Sequence, residues 1–485
     1  MAPLIHWFRR DLRLGDNAAL TAAARAGGGA VLPVFILDEA ILFGRFASPG
    51  RTAWLLENLR ALDAALRAQG LRLILRRGDP LRELLTLARE SGAAGVYWNR
   101  DYTPYAIRRD SAVKEALRAG GLAAHSFKDA VIFEMDEVLT DAGTAYSVYT
   151  PYARRWRQRL AAEGCAVYPP PRLIPVEPWP SSLPIPTLAD LGLRCDLPLP
   201  PAGEAAARER LRRFADLQRQ PGIATYAEQR ERPGIEGTSR LSPYLRLGAL
   251  GIRTALRAAL DLEAAPEALT TLARDSLERW IGELAWRDFY VQVLYHFPHV
   301  LRGAFKREYD ALEWENDPAL LAAWQEGRTG YPIVDAAMRQ LRQEGWMHNR
   351  ARMIVASFLT KDLLVDWRYG ERHFMRLLLD GDPAANNGGW QWAAGTGTDA
   401  QPYFRIFNPV SQGTKFDPDG AYVRRYVPEL AAVPPRYIHT PHLLPPAEQI
   451  RAGVRLGRDY PLPVVDHSTR RAMALDVYGK VKGKQ

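Results

Sequence analysis

The chain has 485 residues, 47% of them hydrophobic and 25% charged, an ordinary globular balance long enough for two domains and a connection. Its net charge of +9 favours a polyanionic partner, although charge alone leaves nucleic-acid binding at even odds. No run of about 18 apolar residues suggests a membrane span, the start Met1-Ala2-Pro3-Leu4-Ile5-His6 has no secretory pattern, and Cys165 and Cys195 are too few for a disulfide framework, so a cytoplasmic protein is expected.

In chain order, short β-like runs at 5–8, 31–37, 71–75, 95–98 and 123–127 alternate with helical patterns at 17–26, 51–68, 80–91 and 104–119. This alternation predicts a doubly wound parallel α/β domain over residues 1–130, since parallel strands need crossovers. Residues 131–203 read as an interdomain connector; from 168 to 201 it is so rich in proline that neither helix nor sheet is expected to run through it. Residues 204–485 read as an all-α domain, with the strongest helices at 279–295, 332–342, 349–365 and 371–379. The stretch 470–485 reads as a short helix and a basic tail forming a solvated end.

Phosphate-loop, zinc-helix and paired-cysteine motifs are absent, and no metal site is expected. The run Gly395-Thr396-Gly397-Thr398 follows a Trp-rich loop instead of a strand and reads as a turn. Within the predicted helix 279–295, Trp280, Glu283, Trp286, Arg287 and Tyr290 fall on one face. Two indoles beside an acid suit a flat ligand, while an interhelix packing ridge with a Glu–Arg pair explains them equally well. Asn349, Arg352 and Met353 share a face of another helix and join an amide, a guanidinium and a thioether. The stretch from Asp380 to Trp392 reads as a Gly-containing loop in which Asp380, Asp382 and Asn386 offer acceptors for imide N–H groups.

These residues together resemble the photolyase/cryptochrome family, most closely its bacterial class I cyclobutane-dimer photolyases. The resemblance runs from Trp7-Phe8-Arg9-Arg10-Asp11 to Phe404-Arg405-Ile406-Phe407-Asn408-Pro409, through Glu236-Gly237-Thr238-Ser239-Arg240 and Asn386-Asn387-Gly388-Gly389-Trp390-Gln391-Trp392. It implies an N-terminal α/β antenna domain and a helical domain that holds FAD, reduced when active, through Tyr226, Thr238, Ser239, Leu241, Trp280, Glu283, Arg287, Asn349, Arg352, Asp380, Asp382 and Asn386. It also implies light-driven electron transfer to a pyrimidine dimer flipped out of single- or double-stranded UV-damaged DNA. Glu283, Asn349, Met353, Trp286, Trp392 and Asn386 then act on the lesion, Glu283 as a buried carboxyl whose pKa is raised by burial, so that it is protonated when negative charge develops on the dimer.

By the same resemblance Arg232, Trp286, Arg287, Arg350 and Trp392 meet the DNA, and Trp390, Trp367 and Trp314 form an electron relay, though each indole taken singly reads equally as packing. For the antenna chromophore, Phe35, Leu37, Asp38, Arg51 and Asp101 look more like an 8-hydroxy-5-deazaflavin pocket than one for 5,10-methenyltetrahydrofolate. The folate pattern of an Asn-Glu pair is replaced by Tyr105 and Ala106. A monomer is expected. The main rival is a cryptochrome-type blue-light sensor; the intact lesion set and Asn386 count against it.

Overall fold

The computed structural model describes residues 2–482, so the end of the expected basic tail lies outside the described residues. Two compact units emerge, and neither is a continuous stretch of chain. The first holds the chain up to Ala224 together with Ser239–Pro298 and Leu379–Ala384; the second holds Thr225–Thr238, His299–Leu378 and the chain from Ala385 onward.

In the first unit, strands β1 (Leu4–Phe8), β2 (Val31–Leu37), β3 (Ile74–Arg77), β4 (Gly95–Asn99) and β5 (Ala123–Phe127) form one sheet in the order β3-β2-β1-β4-β5. All four pairings are parallel, with Leu4 of β1 opposite both Val31 and Gly95. Every residue of β1, β2 and β4 is buried, as expected of strands covered on both faces. Ile5, Trp7, Val34, Ile74, Leu84, Val96 and Trp98 form the heart of that core. The crossover helices start where caps allow: Asn17, Asp79 and Thr103 each accept a backbone N–H three residues on, and prolines 80 and 104 follow the last two. Chain order reverses between β1 and β4, so the carboxyl ends of these strands border the crevice where doubly wound sheets bind ligands.

β3 begins at Ile74, not at 71 as the apolar run suggests. Leu71 N–H still bonds Leu66 of the preceding helix, and Leu73 N–H bonds the Asp63 carboxylate, so residues 71–73 finish the helix end. Within 131–203 the chain also forms a helix, Tyr149–Glu163, whose Tyr152, Trp156 and Leu160 make a buried stripe at four-residue spacing. The proline-dense stretch holds the three-residue 3₁₀ turn Ala189–Leu191 and a single bridge from Ile174 to Ala30, with no longer helix or strand. A buried ion cluster, Arg13–Asp129 at 2.7 Å with Arg253 bridging Asp16 at 2.8 Å and Asp129 at 2.6 Å, ties the sheet's loops to the helix Ile252–Glu263.

The second unit is helical, packed around Trp324, Met338, Leu341, Ile354, Phe358, Trp367, Phe374 and Trp390. The helix expected over 349–365 is Asn349–Ser357 running into a π turn, Phe358–Asp362. There Thr360 Oγ1 donates back to Ala356 O at 2.8 Å, and buried Lys361 sends its ammonium to Ala394 O at 2.9 Å. The helix expected over 371–379 is Trp367–Leu377, capped by Asp366. The stretch read as a loop up to Trp392 is in fact largely helix, Pro383–Ala394. Asp382 Oδ1 accepts Ala384 N–H at 2.9 Å and Pro383 opens the helix, a start signal strong enough to carry two glycines. Nor is the C-terminal helix His467–Lys482 a solvated end. Tyr478 is fully buried, its hydroxyl donates to Ala394 O at 2.7 Å, and the Lys361 ammonium lies 3.3 Å from its ring centroid. Among the described residues no helix is long and apolar enough to cross a membrane.

Candidate functional site

In the first unit the helix Thr271–His296 carries the expected ligand face. Leu277, Ile281, Leu284 and Phe289 are buried, leaving Glu283, Trp286, Arg287 and Tyr290 half-buried. Trp280 is 3% exposed and packs on Phe214, ring centroids 5.6 Å apart. Trp286 stacks face to face on Tyr149 at 3.6 Å and 9°. Arg287 donates to the Ala130 carbonyl, and burial together with the nearby Arg10 draws its pKa down. Beside it Asp288 is fully buried and accepts from Ile132 N–H at 2.9 Å and Trp156 Nε1–H at 3.1 Å; burial pushes its pKa up to about 6. Glu283, expected as a buried carboxylate, is partly open.

The acids of the 380–382 stretch meet three arginines. Arg10, just beyond β1, reaches Asp382 at 2.6 Å and Asp101 at 3.5 Å. Burial would lower the Arg10 pKa, but these two carboxylates hold it above the ordinary value. Asp101 is the mirror case: burial opposes its charge, and Arg10 outweighs it and keeps the carboxyl low. Arg246 donates to Gly381 O at 2.7 Å, and burial plus repulsion from Arg10 brings it down to about 9. Arg51 donates to the Phe46 carbonyl and is lowered by burial to about 10, with Asp380 and Asp382 resisting. Asp380 is itself buried.

Of the five antenna candidates, Arg51 and Asp101 therefore join the network around Asp382. Asp38 takes other partners: Ala40 N–H at 3.0 Å, Tyr105 Oη–H at 2.7 Å and Arg109 at 3.3 Å. Phe35 and Leu37 are buried in β2. Ser239, half-buried, accepts from Arg210 through its carbonyl at 2.8 Å, and Leu241 is buried at the start of the helix Ser242–Leu247.

In the second unit Tyr226 is buried beneath Arg230, whose guanidinium lies 5.2 Å from the ring centroid. Thr238 is half-buried, next to Gly237, where a Cβ would fall 2.6 Å from Gln229 O. Only glycine permits that approach. His348 caps the helix Asn349–Ser357. Asn349 is exposed and its amide contacts Met353 Sδ at 3.8 Å, which places the two on one face as expected. Arg352 donates to Met347 O at 2.8 Å. Arg350 pairs with Glu231 and lies 4.3 Å over the Phe416 ring, whereas Arg232 is exposed.

Asn386 is half-buried, and its amide nitrogen donates to Glu371 O at 3.0 Å. A carbonyl partner settles which end of that amide is the donor, leaving the Asn386 oxygen on the opposite edge as an acceptor. Trp390 and Trp367 are each 2% exposed in the core, while Trp314 and Trp392 are half-buried against it. Trp390 contacts Phe374 edge-on at 5.0 Å and Trp324 at 5.9 Å, and Trp314 meets Tyr478 edge-on at 6.2 Å.

A model described as DNA photolyase matches residues 4–174, and one described as the FAD binding domain of DNA photolyase matches residues 280–480. The chain is 45% identical to a deoxyribodipyrimidine photo-lyase of Halobacterium salinarum, covering 99% of this chain and 100% of the relative. The chain belongs to the photolyase/cryptochrome family. Two solved family structures are similar to it throughout. A bacterial class III photolyase from Agrobacterium tumefaciens has a TM-score of 0.90 at 41% identity, covering 100% of this chain and 98% of that one. A cryptochrome from Synechocystis has a TM-score of 0.87 at 29% identity, covering 98% and 99%. The fold is therefore shared by proteins named photolyase and cryptochrome, and function has to be argued from side chains.

The family's flavin suits what the residues offer: an oriented Asn386 oxygen, hydroxyls at Thr238 and Ser239, and buried Asp380 beside basic neighbours. Sequence reading missed Tyr149, Arg246 and Asp288. Arg10 stood in a family motif with no role attached. The stripe of Tyr152, Trp156 and Leu160 would have revealed the helix that begins at Tyr149, but nothing in the sequence pairs Tyr149 with Trp286.

Proposed function

We propose that this chain is a deoxyribodipyrimidine photo-lyase, a carbon–carbon lyase that binds FAD and uses light to split cyclobutane pyrimidine dimers in UV-damaged DNA. What carries this reading is the 45% identity, end to end, with a relative of that name. When bound in its reduced form, FAD would supply the light-driven one-electron chemistry that this reaction needs.

The protein's own groups bind and orient. Trp286 and Trp392 offer half-buried indole faces to the flipped-out dimer, where base stacking contributes about 1–3 kcal/mol per base. Glu283 hydrogen-bonds the dimer carbonyls as negative charge develops there. Asn349 and Met353 line the lesion's place, and Asn386 presents its amide oxygen as an acceptor. Tyr226, Thr238, Ser239, Leu241, Trp280, Glu283, Arg287, Asn349, Arg352, Asp380, Asp382 and Asn386 hold the cofactor. Arg232, exposed, meets DNA phosphate, and Arg287 and Arg350 contact phosphate or the lesion edge. Trp390, Trp367 and Trp314 carry electrons inward from the surface. Residues 1–130 form the antenna part, 131–203 the connector and 204–485 the catalytic part.

The antenna chromophore is 8-hydroxy-5-deazaflavin in preference to methenyltetrahydrofolate. Supporting this, Asp38 follows β2 at the carboxyl edge of the sheet and is held by Tyr105 and Arg109, where the folate pattern needs an Asn-Glu pair. The enzyme works as a cytoplasmic monomer on single- or double-stranded DNA.

Repair of a thymine-dimer oligonucleotide by the photoreduced protein, under blue light with a matched dark control, tests the function. Intact thymines restored only in the light are expected. A photoreducible flavoprotein that neither binds nor repairs the dimer would be a sensor, and the reading would fall.

A further inference from the structure

Tyr149 is the first residue of the helix Tyr149–Glu163, and its ring lies flat on Trp286, with centroids 3.6 Å apart and planes 9° from parallel. Its hydroxyl donates to Gly282 O at 2.8 Å. Gly282 is one turn before Trp286 on the helix Thr271–His296, so the phenol is anchored to the same helix that carries the indole it covers. A carbonyl oxygen has two lone pairs and takes this bond in addition to its helical one. The Tyr149 helix is itself pinned nearby: Trp156 is fully buried, with its Nε1–H on the Asp288 carboxylate at 3.1 Å. Phe289 meets the Tyr149 and Trp286 rings edge-on at 5.7 Å and 5.6 Å.

Nothing in the fold requires this investment. Trp286 is half-buried, not a core residue, and a half-open indole on a helix ordinarily samples more than one rotamer. Here one face is covered by a flat partner, with the Phe289 ring edge-on and the Tyr290 ring tilted at 5.4 Å, so the plane of the ring is fixed and the part of the indole that stays exposed is what a base can meet.

We infer that Tyr149 is a positioning residue for dimer recognition: it backs Trp286 and holds the indole in the orientation in which a flipped-out pyrimidine stacks on it. This rests on the repair reading, in which Trp286 meets the lesion. Holding the ring in advance removes the ordering cost from the binding step, so the effect falls on affinity for damaged DNA and not on repair of dimers already bound.

The test uses the FAD-loaded full-length protein and two variants. Tyr149→Leu keeps apolar bulk but has no flat face; Tyr149→Phe keeps the face and loses only the bond to Gly282. Affinity is measured for a thymine-dimer oligonucleotide and for the same strand undamaged, and repair rate per absorbed photon is measured at saturating DNA. Tyr149→Leu should bind the dimer strand roughly three- to tenfold more weakly, the scale of one aromatic pair. Its affinity for undamaged DNA, its flavin absorbance and its saturated repair rate should match the wild type, and Tyr149→Phe should restore most of the loss. Wild-type affinity for the dimer in Tyr149→Leu would overturn the inference. Equal loss on damaged and undamaged strands would also overturn it, since the ring would then be general support for the fold. A wild-type protein that fails to prefer the dimer strand would overturn the repair reading itself, and the inference with it.

Discussion

Two carboxylates on one helix show how burial divides labour. Glu283 is half-buried, while Asp288, five residues on, is fully buried and holds the 132–133 backbone and Trp156. Replacing Glu283 by Ala should cut repair by about tenfold or more, the loss of a charge-assisted contact worth roughly 1.5–3 kcal/mol, while FAD stays bound; flavin absorbance and single-turnover repair check this. The other proposed cofactor residues keep FAD in place; its loss would mean that Glu283 matters more for holding the cofactor than for the dimer. Asp288 predicts a pH effect on stability. Burial raises its pKa from 3.8 to about 6, so the folded protein holds this proton more tightly than the unfolded chain does. Stability from this group is therefore present below pH 4 and falls as pH rises through 6, by about 3 kcal/mol in all. Asp288→Asn keeps an oxygen for the three donors and removes the charge. Its stability relative to wild type should rise between pH 4 and 7, measured by denaturant midpoints across that range; a constant difference would mean Asp288 stays ionised in the fold.

The helix Trp367–Leu377 and the helix Pro383–Ala394 come into close contact at a glycine. A Cβ on Gly370 would lie 2.1 Å from Trp390 Cη2, with the next two ring atoms at 2.4 and 2.6 Å. Gly370 follows Trp367 by three residues, so the two share a face, and the bare glycine lets the Trp390 ring settle against the helix that carries Trp367. Gly370→Ala must displace that ring. Photoreduction of oxidised FAD should slow several-fold while repair by pre-reduced enzyme is spared, and Trp314→Phe should give the same split. Equal loss of both activities in Trp314→Phe would remove the case for a dedicated relay. Sequence periodicity was enough for the strands of the sheet and for the long helices, because caps such as Asn17, Asp79 and Thr103 coincide with apolar stripes. It failed where tertiary contacts overrode local preference. Gly388 and Gly389 read as loop, yet Asp382 and Pro383 start a helix that Trp390 then anchors in the core. The C-terminal helix read as solvated because the buried side of Tyr478 cannot be seen from its polar neighbours.

At the scale of the whole molecule, a basic chain that recognises a lesion must separate two kinds of affinity. The net charge of +9 acts on phosphates through counterion release, which is steep in salt and blind to damage. Under the proposed function, stacking on Trp286 and Trp392 would respond to the flipped-out dimer and be nearly independent of salt. The candidate site was legible to the extent that its residue types were: indoles, amides and acids at helical spacing are visible in a sequence. Its support was not, since Arg10, Arg246 and Tyr149 act through partners more than a hundred residues away. The two affinities should therefore come apart by mutation. Trp286→Ala should lower the preference for a dimer-containing over an undamaged oligonucleotide roughly tenfold or more, and leave the slope of log affinity against log salt unchanged on both strands. Arg232→Ala should do the reverse, weakening both strands alike and reducing the slope by about 1. Filter binding or fluorescence anisotropy at four or so salt concentrations measures all of these quantities together. If Trp286→Ala flattened the slope, or Arg232→Ala changed the damage preference, charge and stacking would be coupled in one contact, and the division of the surface into a phosphate-reading part and a lesion-reading part would be wrong.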